Sequence, residues 1–338
     1  MNVLIDGRPL VGNRTGIGVH TAEIARRLPF DVTIGAHAEI ADRTGLENAR
    51  LAIRPMPLGV LWQQLVLPRL DADVLWGPHG TLPLAWKKPA VVTLHDFTSI
   101  TMPLRHRAKT ILSFNLFIGA SLELASRVAC VSRTIADEAM RGFGVPSWKI
   151  ELVPNGVDDF FTPGDEEEED YILFTGTLEP RKGIEDLVDA WRALPAPRPR
   201  LVLCGDAGWR TRVADDEGIV RTGYVTREKL RELYRRAIAF VYPSRHEGFG
   251  IPPLEAMACG APVIATRTGA IAEYAEGAAL LIAPGARDAL RAELARVVRD
   301  ASLRRELRAA GPLRAKSWTW ERGARAMSEL VRAAAQRG

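Results

Sequence analysis

Cysteine is scarce: Cys130, Cys204 and Cys259 are the only three in 338 residues, far apart and flanked by apolar neighbours. An odd, scattered set excludes a disulfide framework and zinc-ligand spacing, and reads as small buried thiols of a reducing cytoplasm. Long apolar runs are missing as well. None approaches the roughly 20 residues that cross a bilayer, and "MNVLIDGRPL" has neither a charged n-region nor a cleavage site. Strong charge of one sign is also absent. A net charge of +4 and a pI near 9.1 suit an anionic ligand or an anionic membrane surface, but do not argue for nucleic acid. The pair Asp71 and Asp73 looks like a metal-binding D-x-D. It precedes the strand "VLWGP", at the wrong end of a sheet for a ligand, and reads as a solvated turn. No other His, Cys, Asp or Glu cluster has metal-ligand spacing, so no metal is expected.

What is present is the composition of a soluble globular protein, 47% hydrophobic and 25% charged, long enough for two domains. In the first half, "NVLIDG", "DVTIGA", "ADVLWGP", "AVVTLHD", "RVACVS" and "KIELVPNGV" alternate with helical stretches such as "GIGVHTAEIARRL". Continuous Val/Ile/Leu runs predict parallel strands buried on both faces. The pattern breaks at "FFTPGDEEEED", where Pro163, Gly164 and an acidic run read as solvated linker. It restarts with "YILFTGTLEP", "RLVLCGD", "AIAFVYPS", "APVIAT" and "AALLIAP". The expectation is α/β: two Rossmann-like doubly wound domains facing across a cleft, over 1–163 and 164–317, with a closing helix over 318–338. Ligands of such sheets bind beyond the carboxyl ends of the strands, so functional residues belong in the loops that follow strands.

Four stretches meet that filter. In "LFTGTLEPRKGIEDL" a strand ends at Thr175, and Arg181 and Lys182 stand at the mouth of the next helix. Cations there oppose the helix dipole unless an anion is present, which favours phosphate over two merely solvated charges. In "SRHEGFGIPPLEAMACG", Glu247 lies in the loop after a strand and Glu255 in the first turns of a helix begun by Pro252 and Pro253 and ended at Gly260. Gly248 and Gly250 let backbone amides approach a ligand. A carboxylate accepts hydrogen bonds from paired hydroxyls, so one glutamate suits a ribose and the other a sugar; a helix-dipole role accounts for Glu255 alone. Gly16 and Gly18 stand directly before a helix as a fragment of a dinucleotide fingerprint whose third glycine is Thr21, or as a loop offering amides to phosphate. His95, at the end of "AVVTLH", is placed to hydrogen-bond a substrate hydroxyl or to be structural.

Together, "GTLEPRKG", "VTLHD", "VSRTIADE", "VPNGVD" and "EGFGIPPLEAMACG" resemble the retaining glycosyltransferases of sequence family four, with the two-Rossmann GT-B fold, over nearly the whole chain. The last stretch is that family's E-x7-E signature. The resemblance implies that Glu255 binds the nucleotide ribose. Glu247, with the backbone of Gly248, Phe249, Gly250 and Ile251, would hold the donor sugar and diphosphate. Arg181 and Lys182 match the diphosphate-binding cations, Gly16 the N-terminal glycine loop, and His95 the histidine near the donor sugar. Tyr224 and Val225 match the loop beside the base, and the helix from Trp318 the one that crosses back to the first domain. Many members carry an arginine where this chain has Thr177, so charge compensation would rest on Arg181 and Lys182. The "GTLEPRK" form is similar to the mannosyltransferase branch, which uses GDP-mannose.

The implied reaction moves a hexose from a nucleotide diphosphate sugar to a hydroxyl of a glycan or polyprenyl-linked glycan acceptor, with retention and without metal or cofactor. Front-face attack is implied, with the departing phosphate assisting deprotonation. A GT-B epimerase or phosphorylase is a neighbouring alternative. An NAD-dependent oxidoreductase leaves both glutamates and both cations without a role, and a noncatalytic nucleotide-sugar-binding protein is a third class. "PLRHRAKTILSFNLFIGASLELA", with Arg105, Arg107 and Lys109, reads either as peripheral contact with the inner membrane surface or as an ordinary buried helix.

Overall fold

The computed structural model describes residues 1–14, 16–101, 108–206, 208 and 216–336. The chain forms two compact units: unit 1 is Met1–Asn155 with Trp320–Gly338, and unit 2 is Gly156–Thr319. Among the described residues, unit 1 is built on β1 (Asn2–Asp6), β2 (Asp31–Ala36), β3 (Arg50–Ile53), β4 (Val74–Gly77), β5 (Ala90–Leu94), β6 (Arg127–Cys130) and β7 (Ile150–Leu152), in the order β3-β2-β1-β4-β5-β6-β7. Unit 2 has β8 (Glu169–Thr175), β9 (Arg200–Cys204), β10 (Ile219–Gly223), β11 (Ala237–Tyr242), β12 (Val263–Thr266) and β13 (Leu280–Ile282), in the order β10-β9-β8-β11-β12-β13. Every pairing is parallel. Each sheet is therefore doubly wound, with its strand order reversing between β1 and β4 or between β8 and β11.

The central strands are apolar throughout because helices cover both faces, and Val3, Leu4, Ile5, Ile172, Leu173, Phe174, Phe240 and Val241 are fully buried. β3 ("RLAI") and β10 ("IVRTG") are edge strands with mostly half-exposed or exposed residues. Neither carries a continuous apolar run, so periodicity does not mark them. The three thiols are free and buried. Asp71 lies at the amino end of β4, paired with the exposed Lys88 at 2.8 Å.

The units part at Asn155, earlier than the Pro163 boundary read from the sequence. Residues 156–163 belong to unit 2 because Phe161 packs against Tyr234 and Val157 bridges to Thr319. The acidic run is largely exposed, as expected, but it is not free linker. Glu166 pairs with Arg235 at 2.7 Å, Glu168 with Arg304 and Arg308 at 3.0 and 3.1 Å, and Glu169 with Arg236. With Arg200, 3.7 Å from Glu169, five arginines among the described residues strap the run onto unit 2. Trp318 also stays with unit 2, its ring 5.8 Å from those of Phe249 and Tyr274. Arg105 and Arg107 lie outside the described residues, as does the side chain of Lys109. No helix among the described residues is long and apolar enough to cross a membrane.

The closing helix, Trp320–Ala335, returns to unit 1 through one stripe: Trp320, Ala324, Met327, Val331 and Ala334 are all buried. That spacing follows the helical repeat, so docking, rather than propensity, holds the helix in place. Met327→Ala should therefore destabilise unit 1 by ~2–5 kcal/mol, the usual penalty for an unfilled core cavity. Urea unfolding reads this, and an unchanged midpoint would contradict the docking.

Candidate active site

In unit 2 the reversal of strand order opens the sheet between the carboxyl ends of β8 and β11, and the two loops there carry the predicted cations and Glu247. After β8 the chain turns through Gly176 and the exposed Thr177 into a single 3-10 turn, Pro180–Lys182. Gly183 then starts the helix Ile184–Arg192 at φ +70°. A Cβ on Gly183 would sit 2.3 Å from the Pro243 carbonyl oxygen. Only glycine lets this turn press against the β11 loop, and the contact brings Lys182 to Glu247. The Lys182 ammonium donates to Glu247 Oε1 at 2.5 Å and to the Tyr242 hydroxyl at 2.5 Å. Ser244 and Tyr242 donate to the same carboxylate oxygen at 2.6 and 3.2 Å, and Arg181 Nη1 stands 3.4 Å away. Lys182 and Glu247 are both buried.

Burial pushes the Glu247 carboxyl up, but Lys182 and then Arg181 outweigh it and hold the group below the usual carboxylate range. Burial and the neighbouring Arg181 lower Lys182, against the pull of Glu247. Glu247 is thus ionised, and Arg181 is held at the edge of the pair by Glu179 at 2.9 Å. A second brace comes from below: buried Asp186 pairs with Arg245 at 2.7 Å and Arg287 at 2.6 Å, and the Arg245 amide donates to the Arg181 carbonyl.

Glu255 occupies a different environment. The helix Ile251–Ala258 begins at Gly250 and ends before Gly260. Pro252 and Pro253 carry no N–H, so Gly250 and Ile251 supply the amides at this helix start. The Gly250 carbonyl accepts from Tyr274 at 2.5 Å, and the Gly248 carbonyl from the Ala270 amide at 3.2 Å. The Phe249 side chain is buried against Tyr274 and Trp318, leaving only its backbone for a ligand. One turn on, half-buried Glu255 accepts from Tyr234 at 3.1 Å, and that hydroxyl is 2.9 Å from Thr175 at the end of β8. Burial raises the Glu255 carboxyl to about 7, against the Tyr234 bond and Arg227. Tyr224 and Val225 follow β10, and Tyr224 is 73% exposed, an aromatic residue beyond a strand end.

Gly16 and His95 belong to unit 1. Gly16 and Gly18 do not precede a helix but form the first turn of one, Gly16–Ala25. A Cβ on Gly18 would meet the Pro9 carbonyl at 2.5 Å, so close packing requires that glycine, whereas Gly16 faces open space. His95 follows β5, and its Nε2–H donates to the Pro78 carbonyl at 2.9 Å. Burial first, then His20, lowers its pKa to about 3. His95 is therefore neutral, with Nδ1 as its lone-pair acceptor. A cavity of about 880 Å³ also opens in unit 1, lined by residues that include Asp137, Glu138 and Arg141 and the stacked rings of Phe97 and Phe143.

Sequence reasoning missed the supporting residues. Tyr242, Ser244 and Tyr234 read as strand-end or helix-face polar residues, and only their shared orientation toward a carboxylate reveals their part. It also missed a cluster at the β1/β4 reversal, where fully buried Asp6 accepts from Arg8 Nε at 3.0 and 2.9 Å and from Gln63 at 3.0 Å. Its one signal was the "DGR" that ends β1.

Known proteins resemble this chain in sequence and in fold. A model of the Glycosyltransferase Family 4 domain matches residues 14–159, and one of Glycosyl transferases group 1 matches residues 158–314. The O-antigen chain mannosyltransferase B of Escherichia coli is 30% identical, with 95% of this chain and 97% of that protein aligned. HepE of Anabaena, solved with UDP-glucose, superposes with a TM-score of 0.78 at 20% identity, covering 97% and 98% of the two chains. The lipopolysaccharide glycosyltransferase WaaG superposes at 0.79 with 15% identity over 98% and 99%. With both halves matched by family models and a relative aligned along nearly its full length, the chain belongs to the family 4, group 1 glycosyltransferases of GT-B fold and is a hexosyltransferase.

Proposed function

We propose that this enzyme transfers mannose from GDP-mannose to a hydroxyl of a glycan or lipid-linked glycan, with retention at the anomeric carbon and without a metal. The observation that carries this reading is the Lys182–Glu247 pair, with Arg181 beside it, at the β8/β11 reversal. Two cations and a sugar-gripping carboxylate in one loop pair suit a diphosphate joined to a hexose. As the bond from the anomeric carbon to the diphosphate breaks, charge develops on the leaving phosphate. Lys182, Arg181 and the Gly250 and Ile251 amides are the groups that would meet it. The acceptor oxygen bonds to the same face of that carbon, and its proton passes to the departing phosphate. Glu255 takes the ribose diol, Tyr224 offers a face to the base, and His95 Nδ1 accepts from a substrate hydroxyl. The Escherichia coli relative is named for O-antigen chain mannosyl transfer, which supports mannose and a polysaccharide acceptor. The aromatic and charged lining of the unit 1 cavity is chemistry that binds pyranose rings.

A thermal-shift series with GDP, UDP and their sugars tests the donor, followed by transfer to glycan acceptors and NMR of the new linkage. GDP-mannose should give the largest shift and an α-linked product. Preference for a UDP-sugar, or a β-linked product, would contradict the proposal.

Lys182→Ala should lower kcat/KM by ~10²–10³, the usual loss for one charge-stabilising donor. A folded variant with near wild-type turnover at saturating donor would remove Lys182 from the reaction.

Glu255 makes binding depend on pH. Its folded pKa is raised, so between 4.5 and about 7 the folded state holds the extra proton. From this group alone, apo stability falls as pH rises through that window. The ionised carboxylate is the stronger acceptor for a diol, so nucleotide affinity should rise from pH 6 to 8. Calorimetry should show that rise in the wild type and its loss in Glu255→Gln; a flat wild-type profile would count against the ribose contact.

A further inference from the structure

His20 lies on the helix Gly16–Ala25 and is fully buried. It plays no part in the reaction outlined above, and the sequence gives a buried helix little reason to carry an imidazole. Its surroundings supply one. His20 Nδ1 is 2.6 Å from Asn155 Oδ1, and Asn155 is itself buried. Its ring stands edge to face with Trp76 at 5.9 Å, Trp320 at 6.3 Å and His95 at 4.8 Å, the last at an interplanar angle of 87°. Nε2 is buried and has no hydrogen-bond partner among the described residues.

Two of these neighbours have particular places in the chain. Asn155 is the last residue before the chain leaves unit 1, and Trp320 is the first after it returns. Just beyond them, Val157 and Thr319 pair in a parallel bridge within unit 2, and the Val157 amide donates to the Trp318 carbonyl at 2.9 Å. The two crossings thus run side by side, and both end on His20. From the other side, His20 touches the histidine whose remaining nitrogen is the acceptor.

The tautomers follow from the partners. Pro78 offers His95 only a carbonyl, so His95 must carry its proton on Nε2, which leaves Nδ1 as the acceptor. Asn155 Oδ1 likewise takes the His20 proton on Nδ1, and burial keeps His20 neutral by lowering its pKa to about 4. Neutral rings can pack edge to face at this distance without charge repulsion.

We propose that His20 is a positioning residue for His95, fixed by Asn155 and Trp320 at the two points where the chain leaves and re-enters unit 1. The proposal rests on the reading in which His95 accepts a hydrogen bond from a substrate hydroxyl. It assigns to the helix Gly16–Ala25 a task that the first-turn glycines do not explain.

Long-range ¹H–¹⁵N NMR of the full chain at neutral pH tests the arrangement without substrate, and six histidines are few enough to assign by single substitutions. His20 should appear as the Nδ1–H form and His95 as the Nε2–H form. An imidazolium, or His20 protonated on Nε2, would overturn the proposal. Two variants then test the consequence. Asn155→Leu frees the His20 ring, and His20→Gln keeps a donor for Asn155 but removes the ring that His95 packs on. Each should lower kcat at least tenfold while the KM for nucleotide sugar stays within twofold, and the double variant should lose no more than either alone. If Asn155→Leu does not fold, His20→Gln carries the test. A merely structural His20 would lower the melting temperature and leave kcat per folded enzyme within twofold, which overturns the proposal. Absence of sugar transfer by the wild-type enzyme would sink the functional reading itself, and is seen before any variant is made.

Discussion

A carboxylate and an ammonium held 2.5 Å apart inside a protein form the constraint on which the rest of unit 2's loop architecture depends. Taking both charges out of water costs several kcal/mol per ion, which mutual attraction offsets only with good geometry and further hydrogen bonds. The loops after β8 and β11 supply both. Tyr242 bonds both charges, Ser244 donates to the carboxylate, and Arg181 adds charge at the edge. Gly183 permits the close approach, and Asp186 ties the Arg245 segment to the helix that follows Lys182. In the proposed reading, a pair worth little net stability keeps this much support because it holds Lys182, beside Arg181, ready for an anion.

The two glutamates of the E-x7-E stretch show how environment divides roles between identical side chains. Glu247 faces Lys182 and Arg181 and stays ionised despite burial. Glu255 faces Tyr234, and burial raises it to about 7. One carboxylate is a fixed charge within a polar network. The other gains its charge near neutrality, where a ribose diol could replace lost hydration. In unit 1, His95 is tuned the opposite way, kept neutral so that it accepts and does not donate through Nδ1.

Much of this was legible in the sequence, for identifiable reasons. The eleven strands marked by Val/Ile/Leu-rich runs were readable because helices bury both faces of a parallel sheet. β3 and β10, at the sheet edges, lacked that signature. The strand-end rule found Arg181, Lys182, Glu247 and His95, because in a doubly wound sheet connectivity alone places those loops. It could not find Tyr242, Ser244 or Tyr234, since nothing local marks a hydroxyl that serves a carboxylate elsewhere in the chain. The acidic run misled for the same reason: its five arginine partners among the described residues come from positions 200, 235, 236, 304 and 308, too far along the chain for a local reading. His20 was hidden inside an ordinary helical pattern.

The central claim is that Glu247 holds Lys182 in place and yields it to a diphosphate, while itself gripping the sugar. Calorimetric titration of GDP into wild type, Lys182→Met and Glu247→Gln tests this most directly. Lys182→Met should lose affinity, whereas Glu247→Gln, with its lysine freed from the competing carboxylate, should bind GDP at least as tightly as wild type. Equal losses of affinity in both variants would contradict the account.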